Sequence, residues 1–246
     1  MKTSKCRTLW IITLSIAYTA YTCFCAILKR YTGTISRTWV DQMALWHSKK
    51  VLGLAKVDCH VYNPEDVEPE KNKPTIIMCN HTSLYDIPLS YQVFPHHSMR
   101  MLAKKELSKI PIMGGGMRAA EFPFIDRKNR NQAIKDLEQV RRLLESGIVM
   151  WISPEGTRSK DGTLAAFKRG GFITAIGAKA TIIPIGIRGA HQILPARTMQ
   201  LNLNQIAEIH VGKPIDASQY TLENKEALIE AVHQAMTILV GETQQS

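Results

Sequence analysis

From Leu9 to Leu28 the chain reads LWIITLSIAYTAYTCFCAIL, without a charged residue. Wound as a helix, such a run makes a rod of about 30 Å, the thickness of a bilayer's hydrocarbon core. Lys2, Lys5 and Arg7 precede it, and Lys29, Arg30 and Arg37 follow. A cleaved leader would end in a small-x-small site, and the run is long and has no convincing one before Lys29, so it reads as a retained membrane anchor. Positive charge at both ends gives no inside-outside bias. A segment that enters and leaves from one cytoplasmic face satisfies both ends. The following stretch fits that arrangement, because Trp39, Val40, Met43, Trp46, Val51 and Leu54 gather on one side at helical spacing, with Lys50 inside the stripe and Leu45 off it. It reads as an interfacial amphipathic helix, with packing on the rest of the chain as the plainer alternative. Residues 1–57 are thus expected to form a membrane-anchoring helical segment and residues 58–246 an α/β domain.

Charge narrows the partners. The 246 residues hold 31 Lys and Arg against 21 Asp and Glu, a formal net charge of +10. An excess of this size calls for an anionic partner, whether nucleic acid, an acidic membrane surface or a phosphorylated substrate. Aromatic residues make up only 7%, and no basic run is interleaved with aromatics for base stacking, so no nucleic acid is expected. The five cysteines (Cys6, Cys23, Cys25, Cys59, Cys79) are odd in number, lack framework spacing and read as reduced, buried thiols. Neither His60 nor His96-His97 stands with carboxylates at ligand spacing, so no metal is expected.

Beyond residue 58 short apolar runs alternate with helical patterns. Residues 59–73 read as a polar linker through Asn63-Pro64-Glu65-Asp66 and Glu68-Pro69-Glu70-Lys71. Strands are expected at 75–79, 99–103, 122–125, 148–152, 182–187 and 206–211. Ala133, Ile134, Leu137, Val140, Leu143 and Leu144 share one face of a helix over 131–146, which Gly147 stops. Further helices are expected at 168–178 and 222–240, and Gly114-Gly115-Gly116 permits either a tight backbone approach or a flexible bend. The fold class is α/β, a mixed β-sheet flanked by helices, with the N-terminal helical segment at the membrane.

The chemistry gathers at the end of the strand at 75–79. There Asn80-His81-Thr82-Ser83-Leu84-Tyr85-Asp86 places a histidine and a carboxylate where open α/β sheets carry their sites. An imidazole exchanges a proton near neutrality, and a carboxylate on Nδ1 fixes the tautomer that leaves Nε2 to take one. The plainer reading is a loop with a helix cap, for which Thr82, Ser83 and Asp86 are all suited.

Three more stretches fall at strand ends: Phe124-Ile125-Asp126-Arg127, Pro154-Glu155-Gly156-Thr157-Arg158-Ser159 and Ile183-Pro184-Ile185. In this order, with Lys104-x-Glu106-Leu107 and Phe167-Lys168-Arg169-Gly170, they resemble the glycerolipid acyltransferase family over about residues 74–215. The resemblance implies transfer of an acyl group from acyl-CoA or acyl carrier protein to the sn-2 hydroxyl of lysophosphatidic acid, without a cofactor beyond that thioester co-substrate. His81 would be the general base, Asp86 its orienting partner, and no acyl-enzyme would form. Arg127 and the loop Glu155, Gly156, Thr157 and Arg158 would bind the glycerol phosphate. There Glu155 would hold Arg127, Arg158 or the glycerol hydroxyl, with Lys104 and Lys168 as secondary cations. Surface roles are the plainer readings: an Asp126 ion pair for Arg127, solvated lysines for the other two. Ile183-Pro184-Ile185 would line the cleft or simply fill the core. The partners would be the phospholipid bilayer, lysophosphatidic acid and the thioester, and the place the bacterial inner membrane, catalytic domain to the cytoplasm. The chain departs from the family where Glu121 stands for the usual Gly and Ser153 for an aromatic residue. Both lie near the expected acceptor site, which leaves open another lysolipid or amino-lipid acceptor. A non-catalytic lipid-binding homologue and a soluble hydrolase are the remaining alternatives.

Overall fold

A computed structural model describes residues 3–159 and 162–242. Two helices open the chain, α1 (Lys5–Tyr31) and α2 (Arg37–Ala55), followed by β1 (Asp58–Tyr62), β2 (Thr75–Cys79), α3 (Asp86–Ser90), β3 (Met99–Met101) and β4 (Ala103–Lys104). Then come α4 (Met113–Ala119), β5 (Phe124–Ile125), α5 (Arg130–Glu145), β6 (Val149–Ile152), α6 (Gly170–Gly177), β7 (Thr181–Arg188) and α7 (Ala190–Ile193). The last elements are β8 (Ile206–Val211), β9 (Ile215–Asp216) and α8 (Lys225–Val240). The main sheet runs β1-β8-β7-β2-β6-β3, and β9 pairs with β7. It is mixed, as expected: β7 meets β8 and β9 antiparallel, and every other pair in it is parallel.

Burial on both faces explains the sequence of the central strands. β2 is Thr-Ile-Ile-Met-Cys with every residue buried, the unbroken apolar run of a strand covered on both sides. One face carries Ile77, Cys79, Trp151, Ile183 and Ile185 under the α1, α2 and α3 side. The other carries Ile76, Met78, Met150, Ile152 and Ile182 under α5, α6 and α8. Ile183-Pro184-Ile185 is therefore core, between β2 and β8.

Several local expectations change. Residues 59–62, read from sequence as the start of a linker, belong to β1, parallel to β8. This edge strand is mostly exposed, so it lacks the apolar alternation that marks a strand. The run 99–103 breaks into β3 and β4, and only Phe124–Ile125 of 122–125 is strand, paired with β4 outside the main sheet. Of the two readings of Gly114-Gly115-Gly116 the tight backbone approach is the one that forms, within α4 rather than at a bend. All five thiols are free, and Cys6 is exposed rather than buried.

Helix α1 is long and apolar enough to cross a membrane. It nevertheless lies along the globular body. At one end Thr3 donates from Oγ1 to the Leu201 carbonyl at 2.7 Å, and Ile11 enters the core. Near the other end α4 presses its glycines on it: a Cβ on Gly116 would stand 2.4 Å from Cys23 Cα, and one on Gly115 3.0 Å from Ile27 Cδ1. About 33 Å of helix, from Lys5 to Ile27, separates these anchor points. The opposite face, Leu9, Trp10, Ile16, Tyr21, Phe24, Leu28 and Tyr31, is exposed.

Helix α2 has two halves. Leu52 and Ala55 are buried in the core, with Val51 and Leu54 against it, which is the plainer of the two sequence readings. Trp39, Met43 and Trp46 instead line a 350 Å³ hollow with Tyr21 of α1. Asp41 docks the helix on β3, where its carboxylate accepts from Ser98 Oγ and, at 2.6 Å, from Nη1 of the fully buried Arg100.

The α1–α4 contact is testable. Gly116→Ala forces a methyl into the Cys23 backbone and is expected to cost about 1–3 kcal/mol, read as a lower denaturation midpoint in detergent. An unchanged midpoint would mean that the two helices do not pack this closely.

Candidate active site

β2 and β6 run parallel with Ile76 opposite Met150 and Met78 opposite Ile152. Carried past the strand ends, that register sets His81 against Glu155. The His81 N–H donates to Glu155 Oε1 at 2.8 Å, and the other carboxylate oxygen accepts from the Ala165 N–H at 3.1 Å. The Ser159 N–H in turn donates to the His81 carbonyl at 2.7 Å, so the 155–159 loop grips the histidine main chain at both of its polar groups. Glu155 was expected to hold Arg127, Arg158 or the glycerol hydroxyl; its buried carboxylate accepts instead from two backbone amides. On the other flank, Asn80 bonds β7 like an extra rung, accepting from the Ile187 N–H at 2.8 Å and donating to its carbonyl at 2.9 Å.

Asp86 opens α3 and is fully buried. Its Oδ2 accepts from the Thr82 N–H at 2.7 Å and the Ser83 N–H at 2.8 Å, and lies 2.8 Å from His81 Nδ1. A carboxylate can only accept, so the proton between it and the ring belongs to Nδ1, which leaves Nε2 with its lone pair. The ring, 18% exposed, also meets Trp151 edge-on at 5.8 Å between centroids. Trp151 is itself fixed, because its indole N–H donates to Ser90 Oγ at 2.9 Å and that hydroxyl donates to the Asp86 carbonyl at 2.8 Å.

The cations collect at the rim. Arg127 donates from Nη1 to the Gly156 carbonyl. Gly156 has φ of 73°, a left-handed backbone that suits glycine, and a Cβ there would lie 3.4 Å from Lys168 Cγ and 3.7 Å from Arg127 Nη1. Arg127 and Lys168 thus both reach the same loop at Gly156. Lys104 faces Ile125 across the β4–β5 pair, two residues before Arg127, and Thr157 and Arg158 lie in the gripping loop itself. The plainer reading of Arg127, an ion pair with Asp126, is not what forms. Asp126 pairs with Lys105 at 2.9 Å and accepts from the Lys128 and Asn129 N–H groups. Beside β5 opens a 590 Å³ cleft lined by Phe122, Phe124 and Leu143 and by Lys105, Arg118 and Glu121.

The two departures from the family acquire a physical setting. Glu121 has φ of 64°, the left-handed backbone in which glycine is usual. Its carboxylate takes a two-point bond from Arg37, at 2.8 and 2.9 Å, and that guanidinium holds it below the ordinary carboxylate range. Ser153 leaves a buried Oγ without a partner, while the aromatic ring beside the histidine comes from Trp151.

A family model described as Acyltransferase matches residues 58–188. The chain belongs to this acyltransferase family. Among its relatives, the 1-acyl-sn-glycerol-3-phosphate acyltransferase of Haemophilus influenzae is 34% identical over 175 residues, 68% of this chain and 68% of that one. The enzyme of that name from Chlamydomonas reinhardtii is 32% identical over 68% of this chain, which spans only 49% of its length. The alpha form from Mus musculus is 27% identical over 95% of this chain and 78% of its own. The crystal structure of the 1-acyl-sn-glycerophosphate acyltransferase PlsC from Thermotoga maritima superimposes with a TM-score of 0.79, at 22% identity, over 98% of this chain and 95% of that one. That likeness extends the shared fold to the two N-terminal helices, which lie outside the family model.

Sequence reasoning missed Asn80 as a strand clamp and Trp151 as the histidine's ring contact. Trp151 carried a faint signal as the one aromatic residue in the β6 run.

Burial pushes the Glu155 carboxyl up from its ordinary value, against the pull of the His81 and Ala165 amides. A folded-state value above the unfolded one means that the native chain binds the proton more readily. Stability therefore falls as pH rises from the ordinary carboxylate range through the raised value, then levels. Glu155→Gln is expected to lose that part of the slope and to cost about 1–3 kcal/mol for an N–H left without its acceptor. Denaturation of both proteins across the acid range checks this, and a Glu155→Gln curve parallel to the wild type's would refute the burial argument.

Proposed function

We propose that the chain acylates the sn-2 hydroxyl of 1-acyl-glycerol-3-phosphate, giving phosphatidic acid, with acyl-CoA or acyl carrier protein as donor. The observation that carries this is the His81–Asp86 pair, with Nε2 open, beside the Arg127, Gly156 and Lys168 rim. Nε2 takes the hydroxyl proton as the oxygen attacks the thioester carbon. Asp86, already holding Nδ1–H, stabilises the imidazolium. The tetrahedral adduct then collapses with loss of the C–S bond, and the leaving thiolate recovers the proton from Nε2. One proton makes a round trip, and no covalent enzyme intermediate is needed. The acceptor's phosphate is bound by the fork of Arg127 and the point charge of Lys168, with Thr157 and Arg158 donating from the loop and Lys104 nearby. Glu155 acts as a positioning residue through the His81 main chain.

The same reading sets the site at a bilayer. Helix α1 is held to the body near both ends and offers its other face outward, so it lies in the plane of one leaflet rather than across it. Lysophosphatidic acid remains in that leaflet by its acyl chain, while the water-soluble thioester arrives from the cytoplasm. The basic flanks of α1 support the cytoplasmic face of a bacterial inner membrane.

Acyl transfer by the purified chain from labelled acyl-CoA and acyl carrier protein to a panel of lysolipids tests this. Phosphatidic acid is the expected product, and His81→Ala should lower the rate by about 10²–10⁴-fold. Arg127→Ala should act mainly on KM for the phosphorylated acceptor. Transfer to an acceptor lacking the phosphate monoester, untouched by Arg127→Ala, would move the assignment to another lysolipid. A folded chain that acylates nothing would leave a non-catalytic lipid-binding role.

A further inference from the structure

Between β4 and α4 three consecutive apolar residues, Ile110, Pro111 and Ile112, are exposed, with Ile110 at 44% and Ile112 at 48%. An exposed apolar run of this kind is a fault in a soluble surface unless it serves a contact. Its backbone is also costly. Ile112 has φ of 64° and ψ of −54°, and the Met113 N–H donates to the Pro111 carbonyl at 2.7 Å. That is a γ-turn of the rarer, strained hand, with a β-branched residue at its centre. The strain is held by packing. A Cβ on Gly114 would meet the Ser108 carbonyl oxygen at 2.1 Å, and Gly115 and Gly116 press on Ile27 and Cys23 of α1. The turn is thus clamped between its own chain and α1, and it displays two isoleucines that the core does not use.

Its surroundings name the partner. The turn stands beside the last turns of α1, where Phe24, Leu28 and Tyr31 are exposed and Lys29 and Arg30 follow. Lys29 sits over the Trp39 ring at 5.4 Å, the pairing of aromatic and cation found at a headgroup layer. Lys109 directly precedes Ile110, and Arg118 lies on α4; both are exposed. Glu106 is the exposed acid of the stretch, and Lys105 is matched by Asp126. Apolar side chains with a cationic rim, continuous with an apolar helix face, suit an anionic lipid surface.

We propose that Ile110-Pro111-Ile112 is a membrane-inserted wedge, a second lipid contact beside α1, entering the headgroup layer of an anionic bilayer. The wedge sits at the other end of the segment that begins with Lys104, so its insertion brings the cationic rim of the site to headgroup level. The contact needs only the membrane association of the chain, and it stands whether or not the acyl acceptor is the one proposed above.

The test uses the full chain in phosphatidylethanolamine and phosphatidylglycerol vesicles, with and without bromine on the acyl chains. Ile112→Trp and Ile110→Trp each add one indole at the wedge. Ile110 has an extended backbone, φ −71° and ψ 124°, so its variant reports even where the turn at residue 112 resists replacement. Ile238→Trp, on the exposed side of α8 across the sheet, is the control. The added emission from the wedge is expected to shift to the blue and to be quenched most by bromines near the ester end, matching a depth of about 5–10 Å. The control's emission should stay unshifted and unquenched. Wedge emission as red and as little quenched as the control's would overturn the proposal.

Discussion

The parallel pairing of β2 with β6 is the constraint on which the site rests. Its register places Met78 beside Ile152, and His81 and Glu155 each follow three residues beyond that rung. His81 and Glu155 leave the sheet at the same level, and the loop from Glu155 to Ser159 closes on the histidine backbone from both sides. A slip of one residue would turn Met78 and Ile152 out of their core face and separate the carboxylate from the amide that it holds. β2 also stands between neighbours whose chains lead away in opposite directions, β6 and β3 on one flank and β7 and β8 on the other. That is the crevice in which open α/β sheets place their ligands.

Around this point the acidic side chains work on the protein rather than on a ligand. Asp86 collects two backbone amides besides the imidazole, Glu155 collects two, and Asp126 is taken by Lys105 and by a turn. Even Glu121, the residue that stands where the family carries glycine, is neutralised by Arg37. The rim is left to Arg127 and Lys168, with Lys104 on the neighbouring strand and Glu106 as the acid nearest Arg127. The departure at residue 121 therefore changes how α2 is fastened more than what the site attracts.

Magnitudes sort the fastenings of the N-terminal helices. The Arg37–Glu121 pair is more than a third exposed at both side chains, and exposed pairs contribute about 0–1 kcal/mol. Arg100 is fully buried, and loss of its partner Asp41 would strand a charge at a cost of about 3–5 kcal/mol. The buried pair, together with the glycine contacts of α4 on α1, holds the helices to the sheet. A body fastened in this way presents α1 as a surface rather than as a tether.

Much of this was legible in the chain. The apolar run from Leu9, the buried strand at 75–79, the His81–Asp86 spacing and the order of the later strand-end motifs each rest on local pattern, and each stands in the structure. β1 was not legible, since an exposed edge strand is defined by its partner β8 rather than by its own side chains. Nor was α4, where glycines that weaken a helix in isolation are needed for close packing on α1. The role of Glu155 was hidden for the same reason: a carboxylate in a loop with a nearby arginine suggests an ion pair, and only the parallel register shows the amide that it accepts from.

The amino-acid sequence by itself determined the α/β alternation, the apolar helix and the His81–Asp86 spacing at a strand end, because periodicity and short spacings act over a few residues. Tertiary structure alone decided that α1 lies along the body, that Trp151 and Glu155 position the histidine, and that Arg127, Gly156 and Lys168 share one rim. Those contacts join residues far apart in the chain, and they exist only once the strands have paired.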